Sequence, residues 1–234
     1  MSIIIQKAIA LSGLSSRRKA EEMVLNGSVK INGKKANVGQ MVDIDKDIIL
    51  VRNKKISFPE NYSYFKLNKP KGYVCTNKSF KNEKNIFELV NNSKRLFVIG
   101  RLDKNSRGLV ILTNDGDLTQ KISHPKYNHQ KKYLVKVSPS VNNFLEIKKG
   151  FLKGIKVQDE EGLVKVENIK ELKKGFFEID LSEGKKRQIR KMFAKFNYKV
   201  LDLQRIEISG VRLGSLSEGK YEELSNNELK ILKS

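Results

Sequence analysis

The sequence predicts an α+β protein made of two domains, and three observations lead to this prediction. Two short helical segments and a hairpin signal occupy the first 51 residues, while short strand-like runs mix with helices after Tyr62. The second part has no strand–helix–strand rhythm and no glycine-rich turn from a strand into a helix, which argues against a parallel α/β sheet. Residues 53–61 are polar and contain a proline, which is typical of a linker. We therefore place one domain at residues 1–58 and another at residues 59–234.

The first domain is predicted to begin with two helices, over residues 2–11 and 16–25. Serines precede each segment and can accept hydrogen bonds from the first free amides of a helix. Asn32-Gly33 then supplies the positive φ values that a type I′ turn needs, so residues 28–38 should form a hairpin. A short strand is predicted at residues 48–51.

Three cations crowd the start of the second helix, at Arg17, Arg18 and Lys19. The helix macrodipole disfavours cations at that end by roughly 0.3–1 kcal/mol each. A bound phosphate would offset this cost, and the alternative is an ordinary solvated helix end. The stretch GLSSRRKAEEMVLNGSVKINGKKA, within residues 3–51, resembles the S4 RNA-binding domain. The resemblance implies two helices plus a hairpin, with an RNA face at Arg17, Arg18, Lys19, Lys30, Lys34 and Lys35.

The formal charge of +21, from 47 Lys and Arg against 26 Asp and Glu, indicates a polyanionic partner. Nucleic acid is the usual polyanion, and an anionic membrane surface is the main rival. The rival is disfavoured because no long helix combines a wide apolar face with a lysine-rich one. No run of about 18 apolar residues and no signal peptide is evident, so we expect a cytoplasmic protein.

Metal and nucleotide chemistry are not indicated. Two histidines and the single Cys75 give no metal-ligand spacing, and no phosphate-binding loop of the Walker type is present. Cys75 is expected to be a small buried hydrophobe rather than a nucleophile. We therefore predict no metal site and no nucleotide hydrolysis.

In the second domain, strands are predicted at residues 64–67, 73–76, 95–99, 108–113, 132–137 and 176–181, and a helix at 187–196. Within RLFVIGRLDKNSRGLVILTNDGDL, Asp103 falls on a loop between two apolar strands, with Arg101 and Arg107 as sequence neighbours. Neighbouring cations favour an ionised carboxylate, which suits a nucleophile or a base better than a general acid. The alternative is a surface aspartate paired with arginines, and spacing alone leaves both interpretations open.

From about residue 62 to residue 232 the chain resembles the RNA pseudouridine synthases of the RsuA/RluB/RluE/RluF group. The resemblance rests on five segments in order: FKLNKPKGYVCT, VIGRLDKNSRGLVILTNDGDL, HPKYNHQKKYLVKV, LSEGKKRQIRKMF and GKYEELSNNEL. VNNSKRLFVIGRLDKNSRGL and RQIRKMFAKFNYKVLDLQRIEI are most similar to the RluF-type enzymes. The resemblance implies a mixed, mainly antiparallel sheet and isomerisation of a uridine without a cofactor. The RNA would be 23S ribosomal RNA, with tRNA as an additional candidate.

The same resemblance implies roles for individual residues. Asp103 takes the catalytic aspartate position, where it either attacks the nucleotide covalently or removes a proton from the sugar. Tyr133 would pack on the target uracil, and it can at the same time be a core residue of an amphipathic strand. Arg190 would pair with the aspartate. Arg101 would fill the gap left by the flipped base, and Leu203 would form an apolar wall beside the uracil.

Phosphate contacts are expected from Lys185, Lys186 and Arg187, from the turn at Lys69–Lys71 and from the start of the second helix, although plain solvated lysines are the alternative for each. A monomer is expected, with an assembling ribosomal subunit as an alternative form of the substrate. Three other functions compete. They are the same chemistry on 16S ribosomal RNA, a non-catalytic RNA-binding or ribosome-assembly factor, and a DNA-binding protein.

Overall fold

The computed structural model describes residues 1–77, 80–91, 95–123 and 129–234, and it confirms the α+β class. The chain forms two compact units. The first comprises Met1–Ser63 and Thr113–Gly116 with a short segment that ends at Phe97, and the second comprises Tyr64–Asn91, Val98–Leu112 and Asp117–Ser234. Within the described residues, no helix is both long and apolar enough to cross a membrane.

The first unit contains two helices and six short strands. In chain order they are β1 (Ser2–Ile4), α1 (Ile5–Leu11), α2 (Arg17–Leu25), β2 (Val29–Ile31), β3 (Lys34–Lys35), β4 (Met41–Asp43), β5 (Ile49–Val51) and β6 (Lys54–Lys55). The sheet order is β3-β2-β5-β6, and β1 pairs separately with β4. Buried Ile, Val and Ala side chains of both helices and of the strands form one core.

Two local predictions for this unit are confirmed and one is wrong. Ser16 caps α2 by accepting a hydrogen bond from the Lys19 amide at 3.2 Å. Asn32 and Gly33 have φ values of 50° and 82°, as the predicted turn between β2 and β3 requires. Ser2, however, caps no helix, because it begins β1 and pairs with Asp43. The β-branched residues that follow Ser2 favour extended backbone, so α1 begins only at Ile5.

The second unit is built on a large mixed sheet. Its strands are β7 (Tyr64–Lys69), β8 (Tyr73–Val74), β9 (Lys84–Asn85), β10 (Phe97–Ile99), β11 (Arg107–Thr113), β12 (Lys131–Ser138), β13 (Ile155–Lys156), β14 (Leu163–Val164), β15 (Asn168–Lys173), β16 (Phe176–Leu181), β17 (Lys199–Ile208), β18 (Val211–Arg212) and β19 (Tyr221–Glu223). Its helices are α3 (Gly116–Ser123), α4 (Phe144–Lys153), α5 (Gln188–Lys195) and α6 (Asn226–Lys233), with a 3₁₀ turn at Ile86–Leu89.

The main sheet has the order β15-β16-β12-β17-β11-β7-β19, with β10 on β11 and β18 on β17. β11 and β17 run parallel, whereas β12 is antiparallel to β16 and to β17, β15 to β16, and β19 to β7. The predicted mixed, mainly antiparallel sheet is therefore confirmed. The parallel β11–β17 pair at its centre places the loop that precedes β11 next to the side chains of β17.

α5 is fixed by aromatic packing. Phe193 on α5 contacts Phe151 on α4 and Phe177 on β16, with ring centroids 5.0 and 5.4 Å apart. Ile189, Met192 and Phe193 are buried, which is the spacing expected of one apolar helix face. Arg187 was predicted as the first helical residue, but it has left-handed backbone (φ 55°) and stands before the helix. Arg190, in the first turn of α5, contacts the loop that precedes β11, where it donates to the Asn105 carbonyl at 2.9 Å.

Candidate active site

Asp103 lies on the loop between β10 and β11. Gly100 begins the loop with a φ of 69°, the buried side chain of Leu102 anchors it, and the Ser106 amide donates to the Asp103 carbonyl at 3.0 Å. The carboxylate of Asp103 is half-buried. The loop therefore presents one carboxylate from a backbone held on both sides.

A buried lysine binds the backbone of this loop. Lys69, at the end of β7, has no exposed surface, and its ammonium donates to the carbonyls of Pro70, Lys104 and Ser106 at 2.9, 3.3 and 2.6 Å. Burial lowers the pKa of Lys69 to about 8. The expectation that Lys69 contacts phosphate is therefore wrong, because its ammonium is bound inside the protein by backbone oxygens. Only the exposed part of that turn, at Lys71, can face a ligand.

A buried arginine holds the loop from the side of β17. Arg205 is 1% exposed, and its guanidinium donates to the carbonyls of Leu109, at 2.8 Å, and Gly100. Gly108 permits the close backbone approach of β11 to β17, because a Cβ at that position would overlap the Arg205 carbonyl oxygen and lie 2.7 Å from the Arg205 amide nitrogen. Sequence reasoning missed Arg205 and the internal role of Lys69. One signal existed, since Arg205 continues the inward-facing alternation of β17 after Leu203.

Tyr133, on β12, lines a cavity that Asp103 also lines. It is 7% exposed, it pairs in register with Arg205, and the Arg205 guanidinium carbon lies 6.0 Å from its ring centroid. A cation at that distance from an aromatic face is attracted to it. Both interpretations of Tyr133 are thus compatible with its position, since a core tyrosine also forms part of the cavity wall.

One cavity, of about 640 Å³, brings most of the predicted site residues together. Its walls include Asp103, Tyr133, Arg101, Leu203, Lys185 and Arg187. Leu203 is 6% exposed and apolar, whereas Arg101 and Arg187 are exposed cations at the rim. The volume falls within the range of roughly 300–1,000 Å³ that is usual for ligand pockets. The cavity therefore combines an apolar floor with a basic rim, and the carboxylates that line it are those of Asp103 and Glu183.

Arg190 is placed differently from the other predicted site residues. Its guanidinium donates to the carbonyls of Val200 and Asn105, at 3.0 and 2.9 Å, and to the Ser106 hydroxyl at 3.2 Å. Arg190 and Asp103, which are both described by the structure, form no ion pair within 4 Å. The predicted direct pairing is therefore not formed. Burial and the nearby Arg187 lower the pKa of Arg190, and the charges of Asp103 and Asp202 oppose that shift. Arg190 thus holds the loop just after Asp103.

Arg107 does not pair with Asp103 either. It forms a forked ion pair with Asp202, with N–O distances down to 2.8 Å, and Lys71 contacts the same carboxylate at 2.6 Å. Burial opposes the ionised form of Asp202, yet its two cationic partners lower its pKa to about 2. Asp103 makes no ion pair within 4 Å with any lysine or arginine that the structure describes. The surface-pairing alternative for Asp103 is therefore not supported.

Two further polar groups line the cavity. Lys131 donates to the His129 carbonyl at 2.8 Å, and burial, together with the charge of Arg205, lowers its pKa to about 8. Cys75 is buried, as predicted, and burial raises the pKa of its thiol. Among the described residues no cluster of three or more His, Cys, Asp or Glu side chains could hold a metal ion. Residues 124–128, which begin the segment HPKYNHQKKYLVKV, lie outside the described residues.

The cations predicted for RNA binding in the first unit lie at the surface. Arg17, Arg18 and Lys19 occupy the first turn of α2, and all three are exposed. None of them forms an ion pair with an acidic residue of the described part of the chain. Their charges are therefore available to an external anion.

Comparison with known proteins identifies the class that this fold and site define. A family model described as RNA pseudouridylate synthase matches residues 63–195, and a model of the S4 domain matches residues 5–49. The chain belongs to the RNA pseudouridylate synthase family, whose members are isomerases, and it carries an S4 domain in front of the catalytic region. The family that the sequence motifs indicate is thereby confirmed.

Individual relatives agree along the chain's length. The chain is 37% identical to the dual-specificity RNA pseudouridine synthase RluF of Escherichia coli, over 97% of this chain and 77% of the relative. It is 33% identical to the ribosomal large subunit pseudouridine synthase B of Bacillus subtilis, over 98% and 95%. A solved pseudouridylate synthase superposes with a TM-score of 0.72 at 30% identity, covering 98% of this chain and 99% of the other. The similarity to RluF-type enzymes is thus supported.

Proposed function

We propose that this protein converts a specific uridine of large-subunit ribosomal RNA, 23S RNA, to pseudouridine with Asp103 as the reacting carboxylate. The observation that carries the proposal is the free carboxylate of Asp103 in a cavity with an apolar floor and a basic rim. The cations that reach the Asp103 loop from other elements bind its backbone carbonyls, so the carboxylate is left for the substrate. The choice of ribosomal RNA is supported by the name of the Bacillus subtilis relative.

The reaction needs a uracil that has left its stack, at a cost of a few kcal/mol. The base–sugar C–N bond then breaks, a C–C bond to uracil C5 forms, and the proton released from C5 is balanced by one gained at N1, so the product is an isomer of the substrate and no cofactor is required. Asp103 either forms a covalent adduct with the nucleotide or takes a proton from the sugar. In both routes the loop must hold the carboxylate still, which Lys69, Arg205 and Arg190 do through backbone carbonyls.

The other predicted residues have roles that their positions allow. Tyr133 and Leu203 would enclose the flat faces of the uracil, since both line the cavity with little exposure. Arg101 would occupy the space that the flipped base leaves. Lys185 and Arg187, at the rim, would bind the phosphates next to the target nucleotide.

Replacement of Asp103 tests the proposal directly. We expect Asp103→Asn to abolish pseudouridine formation in mapped ribosomal RNA while RNA affinity stays within a few fold, because the amide keeps the shape but not the charge. Asp159→Asn is the matched control, since Asp159 is exposed, lies outside the cavity and has a φ of 60° that asparagine tolerates. Unchanged modification by Asp103→Asn would contradict the catalytic role.

Mapping pseudouridines in ribosomal RNA and tRNA of cells with and without the gene tests the substrate. Loss of a 23S site in cells without the gene supports the proposal. Loss of a 16S site alone would show that the substrate is small-subunit RNA. No change at any site would favour a non-catalytic RNA-binding or ribosome-assembly factor. Treating isolated subunits and free ribosomal RNA with the protein, and then mapping pseudouridines in each, shows whether an assembling subunit is the true substrate.

We further propose that residues 1–58 act as the RNA-delivery domain of a monomeric, cytoplasmic enzyme, with residues 59–234 as the catalytic domain. The exposed cations at the start of α2 support the delivery role. Limited proteolysis of the full chain should cut first within residues 57–61, which follow β6 and contain no helix or strand, and release two stable fragments. Sedimentation of the intact protein at micromolar concentration should give the mass of one chain.

A further inference from the structure

A second cavity, of about 730 Å³, opens next to the one that holds Asp103. Arg187 borders both cavities. We call the second one the β17 groove; its principal residues are Lys71, Asn105, Arg187, Arg190, Tyr198 and Lys199. Asp103 does not line this groove, although Asn105 of the same loop does. The groove is therefore adjacent to the cavity that holds Asp103 but is not part of it.

The β17 groove has a strong positive charge. Lys71, Arg187, Arg190 and Lys199 line it, and no acidic side chain among the described residues does. Lys71 contacts Asp202, but the other three form no ion pair with an acid in the described ranges. Burial is the largest cause of the lowered pKa of Arg190, and the charge of Arg187 lowers it further, so the two guanidinium groups repel each other. An anion bound at the groove would relieve that repulsion.

An aromatic side chain lies among these cations. Tyr198 stands in the turn between α5 and β17, where its amide donates to the Phe193 carbonyl at 3.0 Å and the preceding Asn197 has a φ of 61°. Its ring is half-buried and has no described aromatic neighbour within contact. An aromatic ring beside free cations is the combination on which proteins bind single-stranded nucleic acid, with bases stacked on the ring and phosphates on the cations.

We propose that the β17 groove binds the single-stranded RNA that flanks the target uridine, with a base on Tyr198 and phosphates on Arg187 and Lys199. The proposal rests on the proposed RNA-modifying function and adds a subsite for a neighbouring nucleotide. Binding energy gained there would help to offset the cost of unstacking the target base.

Stacking is tested with a fluorescein-labelled nonauridylate and the full-length protein. Tyr198→Ala should weaken binding about fivefold or more, because a stacked base contributes about 1–3 kcal/mol. Tyr198→Phe, which keeps the ring, should stay within about twofold. The same ratio is expected in an Asp103→Asn background, since binding and not chemistry is measured. Equal affinities for the alanine variant and the wild type would contradict the proposal.

The phosphate contact is tested by salt titration. Lys199→Ala should reduce the slope of log affinity against log salt by about 0.7, as expected when one phosphate contact to a single strand is lost. Lys195→Ala is the matched control, because Lys195 is an exposed lysine of α5 that lines neither cavity. Its smaller effect on the slope is part of the expected result. Identical slopes for the two variants would overturn the phosphate contact.

Photo-crosslinking locates the bound strand. A nonauridylate with 4-thiouridine should crosslink to a peptide that contains Tyr198, and crosslinks found solely on other peptides would contradict the groove. The outcome is separable from the enzyme's activity. If the wild type shows no turnover but the variants still differ from it in RNA binding, the proposed function alone is contradicted. If turnover is normal but the variants bind RNA like the wild type, the groove alone is contradicted.

Discussion

Lys131 lies in the wall of the cavity that holds Asp103, and its folded-state pKa is about 8 because burial and Arg205 disfavour the charged form. In the unfolded chain its pKa is that of an ordinary lysine, 10.5. The unfolded state therefore binds more protons between these values, and stability gained from this group rises with pH across that window. Below about pH 8 the folded protein bears the full cost of the buried charge.

We expect this cost to appear in a comparison of wild type with Lys131→Met. From pH 7 to pH 10, the free energy of unfolding of the wild type should rise relative to that of the variant, measured by guanidinium titration at each pH. Lys132→Met is the control from the adjacent position, because its acidic neighbours raise the pKa of Lys132 and its contribution should stay constant over that range. A constant difference between wild type and Lys131→Met would contradict the depressed pKa.

At the scale of elements, the pairing of β11 with β17 determines the geometry of the Asp103 loop. Gly108 lies opposite Arg205 in this parallel pair and has a φ of 104°, and a Cβ there would overlap the Arg205 backbone. Gly108→Ala should therefore lower the free energy of unfolding by at least about 2 kcal/mol. It should also reduce activity, because the loop that carries Asp103 would shift. Gly184→Ala should be nearly neutral in thermal denaturation, because a Cβ at Gly184 would meet no heavy atom within 4 Å and its φ is not positive. Equal stability of the two variants would contradict the tight strand contact.

The same elements show what sequence reasoning can and cannot reach. Alternating burial along β12 and the Asn32-Gly33 turn are local patterns, so they could be predicted. The Asp103 position followed from family resemblance and not from spacing. Lys69 and Arg205 could not be assigned, because their partners are backbone carbonyls distant in sequence, and such contacts leave no pattern of side-chain types. The pairing of Arg190 with Asp103 was likewise taken from family resemblance, and in the structure Arg190 donates instead to backbone carbonyls and the Ser106 hydroxyl.

At the scale of the whole molecule, the excess of positive charge is distributed over both units, and each unit presents unpaired cations. Contacts that bind substrate and transition state equally affect KM without affecting kcat. The exposed arginines at the start of α2 lie in the unit that does not contain Asp103. They should therefore contribute this uniform kind of binding, and the cations around the cavity should contribute to kcat.

Replacement of both Arg17 and Arg18 by alanine tests this division. We expect KM for ribosomal RNA to rise with kcat unchanged, and the salt slope of RNA binding to fall by about 1.4–1.8, because two phosphate contacts are lost. Replacement of Lys54 and Lys55 on β6 by alanine removes the same charge from exposed positions of the same unit and should have a smaller effect. A fall in kcat with constant KM would show instead that the α2 arginines act on the reacting state, because only contacts stronger in the transition state change kcat.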